Sequence, residues 1–115
     1  MVLRMYIFLR TDLKYFGKGS LVAQACHAVS STIQNYNSSD NVRDYLNDLP
    51  NMHKVVFKIT KDDIKSIETS LDRFNINYSS WVEQPENVIT CICTVPIDIS
   101  NNLELRAFMN EFKLY

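Results

Sequence analysis

Apolar residues follow two rhythms along this chain, and their alternation predicts strands and helices in turn. Leu3 to Arg10 is almost continuously apolar, as a buried strand is. From Ser20 the period lengthens to that of a helix. Val22, Cys26, Val29, Ile33 and Tyr36 mark one stripe, and Ser20, Gln24, His27, Ser31 and Gln34 form a polar row about half a turn away. This helix is expected to reach about Tyr36, where Asn35-Tyr36-Asn37-Ser38-Ser39 breaks it. Val42, Tyr45, Leu46 and Leu49 predict a short second helix stopping at Pro50, and the β-branched run Lys54 to Ile59 a strand. Thr60 with Asp63 caps a third helix whose apolar face is Ile64, Ile67, Leu71 and Phe74. Tyr78 to Val82 and Val88 to Val95 read as strands joined by a hairpin turn, Glu83-Gln84-Pro85-Glu86-Asn87. Asn101 with Glu104 caps a final helix carrying Leu105, Phe108, Met109 and Phe112.

Strands linked through helices are expected to run parallel, with helices on both faces of the sheet, whereas the hairpin makes the last strand antiparallel. The expected fold is therefore α/β: a three-layer α/β/α sandwich with a four-stranded mixed sheet, forming a single domain over residues 1–115. Ligands in such folds collect beyond the carboxyl ends of the parallel strands. The first strand feeds Gly17-Lys18-Gly19 and the third feeds Glu83 to Asn87. If both point the same way, Lys18, Gln24, His27, Glu83 and Asn87 share a pocket.

Composition narrows the class. With 115 residues, 46% of them hydrophobic, there is material for one core. The apolar runs are too short to cross a bilayer, so no membrane association is expected. Met1 to Leu9 lacks the length and the small-residue cleavage site of a signal peptide. Three cysteines, an odd number without an export signal, point to reduced thiols and a cytoplasmic location. A net charge of −1 excludes the global positive field of a tight, non-specific nucleic-acid binder, so any RNA contact must be local.

The candidate chemistry centres on Gly17-Lys18-Gly19-Ser20. A helix start offers free N–H groups and a dipole that favour an anion or a developing oxyanion. Each residue also has a structural reading: Lys18 as a solvated loop lysine, Gly17 and Gly19 as positive-φ positions, Ser20 as an N-cap, His27 as a packing residue. Gln24 is neither acid nor base and can only orient a carbonyl, an amide or a water. Cys26 and His27 point about 100° apart and cannot form a nucleophile–base pair; Cys26, on the apolar stripe, is expected in the core. Cys91 and Cys93 face one side of a strand without further zinc ligands. The glycine loop is not a P-loop, which needs a further upstream glycine and a serine or threonine directly after the lysine.

Arg10-Thr11-Asp12-Leu13-Lys14, Gly17-Lys18-Gly19, Ala23-Gln24-Ala25-Cys26-His27-Ala28 and Phe112-Lys113-Leu114-Tyr115 together resemble the signature of the type II peptidyl-tRNA hydrolases of archaea and eukaryotes. Met52 to Val56 and Trp81 to Ile92 resemble a divergent eukaryotic branch, the peptidyl-tRNA hydrolase domain-containing proteins. The likeness runs from about Tyr6 to Tyr115. It implies the same four-stranded mixed sheet and hydrolysis of the ester between a peptide and the 3′ end of tRNA, by a water that Glu83 activates. The resemblance places catalytic roles on Lys18, Glu83 and Asn87, and substrate-binding roles on Gly17, Gly19, Ser20, Gln24 and His27. Tyr15, Phe16 or Trp81 would stack on a base. It implies no metal or cofactor, names the 3′ end of peptidyl-tRNA as partner, and admits a homodimer.

The sequence departs from the family pattern at several of these positions. Ser20 stands where typical members carry a second lysine. Glu83 and Asn87 stand where an Asp-x-Gly-x-Thr turn has its aspartate and threonine, and Pro85 replaces the glycine. The alternative expectation is a weakly catalytic or inactive member that binds an RNA end, a peptide or a protein.

Overall fold

All 115 residues are described in the computed structural model. The chain alternates as expected: strand β1 (Arg4–Arg10), helix α1 (Lys18–Asn35), helix α2 (Asp40–Leu46), a 3-10 turn (Leu49–Asn51), β2 (His53–Ile59), a second 3-10 turn (Lys61–Asp63), α3 (Ile64–Arg73), β3 (Tyr78–Glu83), β4 (Val88–Thr94), α4 (Leu103–Met109) and β5 (Lys113–Leu114). The sheet order is β3-β4-β1-β2-β5. β1 and β2 are parallel and pair from Arg4↔His53 to Arg10↔Ile59, and every other pairing is antiparallel.

Five strands form the sheet, not the expected four. The fifth, Lys113–Leu114, pairs with Lys58 and Phe57, and the Tyr115 N–H donates to the Val56 carbonyl at 2.9 Å. Two residues are too few to show a strand period. Phe112, spaced as if it continued α4, lies beyond the helix end at Met109 and packs edge-on against Phe108, with ring centroids 5.2 Å apart.

Alternation along β1 divides the core. Met5, Ile7 and Leu9 pack with Ala28 of α1, Tyr45 of α2 and Cys91 and Cys93 of β4. Tyr6 and Phe8 pack on the other face with Ile67 and Leu71 of α3 and Leu105 and Phe108 of α4. These are the three layers.

Two expectations about caps and faces are corrected. Asn102, not Asn101, caps α4, its Oδ1 accepting the Leu105 N–H at 3.0 Å. Asn102→Ala is expected to cost about 1 kcal/mol in urea unfolding, and Asn101→Ala close to nothing. On α1 the buried positions are Gln24, Ala28 and Thr32, whereas Val22 and Cys26 are exposed. The two buried polar residues of α1 meet polar partners on the sheet: Gln24 Nε2 donates to Glu83 Oε2 at 2.8 Å, and Thr32 Oγ1 donates to the Cys93 carbonyl at 3.1 Å. Val22 and Cys26 instead line an apolar groove of about 570 Å³ with Val56 and Tyr115.

β1 and β3 are each antiparallel to β4 and so run in the same direction. Their ends, Arg10 and Glu83, therefore reach one edge of the sheet, the edge where α1 begins.

Candidate active site

Helix α1 opens on Gly17, whose extended backbone (φ −75°) supplies no side-chain cap. The first bond of the helix runs from the Leu21 N–H to the Gly17 carbonyl at 3.0 Å. The N–H groups of Lys18, Gly19 and Ser20 have no protein partner, and the first turn carries no acidic residue. Ser20 lies inside the helix and is not its cap. Neither glycine has positive φ, and a Cβ added to either would meet nothing within 4 Å. They leave open space beside a positive helix end.

Glu83, at the end of β3, faces this helix start across a cleft of about 260 Å³. The cleft is lined by Tyr15, Phe16, Ser20, Ala23, Gln24, His27, Glu83 and Glu86. Its geometry is set by hydrogen bonds to both Glu83 oxygens. Gln24 Nε2 donates to Oε2 at 2.8 Å, and Trp81 Nε1 donates to Oε1 at 3.1 Å. Trp81 and Glu83 are two residues apart on a strand and so share its α1-facing side. The hydrogen bond from Gln24 does most to hold the carboxyl below its ordinary 4.5; the one from Trp81 adds to this, and nearby His27 contributes. Glu83 is therefore an anion at neutral pH. Gln24 is itself buried, and its Oε1 accepts the Thr90 hydroxyl at 2.8 Å. The exposed His27 ring lies 5.0 Å from the Trp81 ring, tilted by 35°.

The structure thus gathers Ser20, Gln24, His27 and Glu83 in one cleft. Lys18, the first residue of α1, is exposed and lies outside its lining, as do Gly17, Gly19 and Asn87. Asn87 holds the hairpin: its φ is +57°, its N–H donates to the Glu83 carbonyl at 2.7 Å, and its Oδ1 accepts from Gln84 Nε2 at 3.3 Å. A left-handed backbone suits asparagine better than most residues.

Sequence reasoning missed Glu86 and Thr90. Glu86 lies in the hairpin turn, where no periodicity singles it out. Thr90 is hidden by a β-bulge: Trp81 pairs with Cys91 but Val82 with Ile89, leaving Thr90 as an extra residue. The Arg10-Thr11-Asp12 motif has a structural use. Buried Arg10 forks onto Asp12 at 2.9 and 3.2 Å and donates to the Ile89 carbonyl at 3.1 Å, while Asp12 accepts the Lys61 N–H at 3.0 Å. The Arg10 hydrogen bond pulls the Asp12 carboxyl below its ordinary 3.8. Cys91 and Cys93 are buried, which pushes both thiols well up and makes them poor nucleophiles.

The family model described as Peptidyl-tRNA hydrolase PTH2 matches residues 3–115. The chain belongs to the PTH2 family. Two relatives, from mouse and human, each named "Putative peptidyl-tRNA hydrolase PTRHD1", are 33% and 34% identical to it. Each alignment covers 99% of this chain and 83% of the relative. They represent the divergent eukaryotic branch that Met52 to Val56 and Trp81 to Ile92 suggest. This PTH2 chain presents a carboxylate and a buried amide in one cleft, beside an uncapped helix start.

Proposed function

We propose that the chain hydrolyses peptidyl-tRNA in this cleft, a water beside Glu83 attacking the ester carbonyl that joins the peptide to the 3′ ribose. The observation that carries this reading is the Glu83 carboxylate, fixed through both oxygens in the cleft where α1 begins. Each oxygen keeps a free lone pair, so the carboxylate can still accept a proton of an attacking water. The N–H groups of Lys18, Gly19 and Ser20 and the helix dipole stabilise the oxyanion or the terminal phosphate. Lys18 adds charge at that end, His27 binds a flanking part of the substrate, and Tyr15 and Phe16 offer faces to an unpaired base. PTH2 membership supports this substrate class.

The hydrogen bonds that orient Glu83 also weaken it as a base, so turnover is expected to be modest. The same feature favours a second reading, a member that binds the RNA end and hydrolyses it poorly or not at all. Hydrolysis of an N-blocked aminoacyl-tRNA in heavy-oxygen water separates the two. The label is expected in the carboxylate of the released acyl group, with the tRNA intact and its 3′ hydroxyls unlabelled. Bound but unhydrolysed substrate decides for the binding module.

Two rim residues give a further expectation. Tyr15 is 97% exposed, and base–aromatic stacking contributes about 1–3 kcal/mol per base. Tyr15→Ala should therefore raise KM roughly tenfold with kcat little changed. Lys18→Ala should weaken tRNA binding and flatten its salt dependence by about one counterion. Filter binding over a salt series and steady-state kinetics check both.

A further inference from the structure

We infer that Thr90 is a positioning residue for the Glu83 carboxylate, acting through the buried amide of Gln24. The inference rests on the reading of Glu83 as the water-activating group.

The bulge makes the contact possible. Cys91 and Cys93 face the α1 side of β4, so strict alternation would turn Thr90 toward α3 and α4. The extra residue breaks that alternation, and the Thr90 hydroxyl reaches Gln24 Oε1 at 2.8 Å. On the neighbouring peptide, Arg10 Nη1 takes the Ile89 carbonyl at 3.1 Å and ties the bulge to the end of β1. The irregularity is thus held from a second strand.

The chain of contacts is directional. An ionised carboxylate only accepts hydrogen bonds, so Gln24 must turn Nε2 toward Glu83. Its Oε1 then faces inward, where Thr90 is its one hydrogen-bond donor. Gln24 is 2% exposed and Thr90 0%, so both ends of this contact are closed to solvent. Without the hydroxyl, Oε1 becomes a buried acceptor with no partner, and the amide loses the contact that anchors it from behind. A Gln24 side chain no longer held there shifts relative to Glu83 and weakens the donor that does most to hold its carboxyl low.

Thr90→Ala and Thr90→Ser both lose the γ-methyl, and only the first loses the donor. The readouts are the titration of the Glu83 carboxyl carbon by NMR, assigned by its absence in Glu83→Gln, and the kinetics of tRNA release. Thr90→Ala is expected to move the Glu83 titration upward toward its ordinary value. It should also lower kcat about tenfold with KM held within about twofold. Thr90→Ser should keep both near wild type. If Thr90→Ala does not fold, Thr90→Val, which fills the site and suits a strand, takes its place. A Glu83 titration unmoved in the donor-less variant, or moved equally by serine and alanine, overturns the inference. Should wild type release no tRNA, the proposed function fails, while the titration still decides whether Thr90 positions Glu83.

Discussion

Glu83→Gln is expected to lower kcat about a hundredfold while KM stays within about threefold. General-base assistance contributes about 10²- to 10⁴-fold, and a carboxylate held below its ordinary 4.5 belongs at the low end of that range. Glutamine preserves shape but cannot take a proton. It also offers one acceptor where Gln24 and Trp81 present two donors, so one of the bonds at 2.8 and 3.1 Å is lost. The pH profile carries the sign. The ionised form of Glu83 is the active one, and its pKa is lowered in the fold. Wild-type kcat should therefore persist as the pH drops past 4.5 and fall only as it passes through the lowered value. That acid limb should vanish from the residual activity of Glu83→Gln. Steady-state rates across the acid range, collected while the protein remains folded, check both.

Phe8→Ala is expected to cost about 3–5 kcal/mol, a large share of the roughly 5–15 kcal/mol that holds a domain together. Phe8 is fully buried at the centre of β1, with its ring 5.3 Å from Phe57, 5.1 Å from Phe112 and 6.4 Å from Phe108. It joins β1, β2 and α4 to the segment leading into β5, so the cavity is shared by elements that cannot all close on it. Urea unfolding followed by circular dichroism measures the loss, and Phe8→Leu should lose markedly less. A loss under about 1 kcal/mol would mean that the α4–β5 end is not packed as described.

Where the sequence was legible, the reason was burial with a regular period. β1 shows as a continuous apolar run because both its faces are covered, and α3 shows through Ile67 and Leu71 because its other side meets water. α1 reveals the limit of that reading. Its spacing identifies a helix with two faces, but the side packed on the sheet is centred on Gln24, Ala28 and Thr32, with Val29 and Ile33 of the apolar stripe at its margin and Val22 and Cys26 exposed. Periodicity gives the geometry of a face, while the chemistry of the opposing surface decides which face is buried. β5 was invisible because two residues have no period, and its partners lie more than fifty positions upstream at Phe57 and Lys58.

The site was readable in part for similar reasons. Glu83 and Gln24 could be placed together because β1 and β3 run the same way, which the element order implied. Asn87 was singled out by its place in a motif, yet its backbone at φ +57° supports the turn and its side chain is engaged by Gln84. Thr90 could not be read at all, since a one-residue bulge reverses the facing that alternation assigns. Irregularities of this kind leave no mark on a hydrophobic pattern, and here one sits directly behind the carboxylate.

Multiple-turnover release of tRNA from an N-blocked aminoacyl-tRNA, supplied in large molar excess over enzyme, bears most directly on whether this cleft is catalytic. Wild-type protein is expected to release many equivalents of tRNA per molecule, with Glu83→Gln reduced about a hundredfold and still binding substrate. No release above the spontaneous rate by wild-type protein that binds the same tRNA, or equal release by wild type and Glu83→Gln, contradicts it.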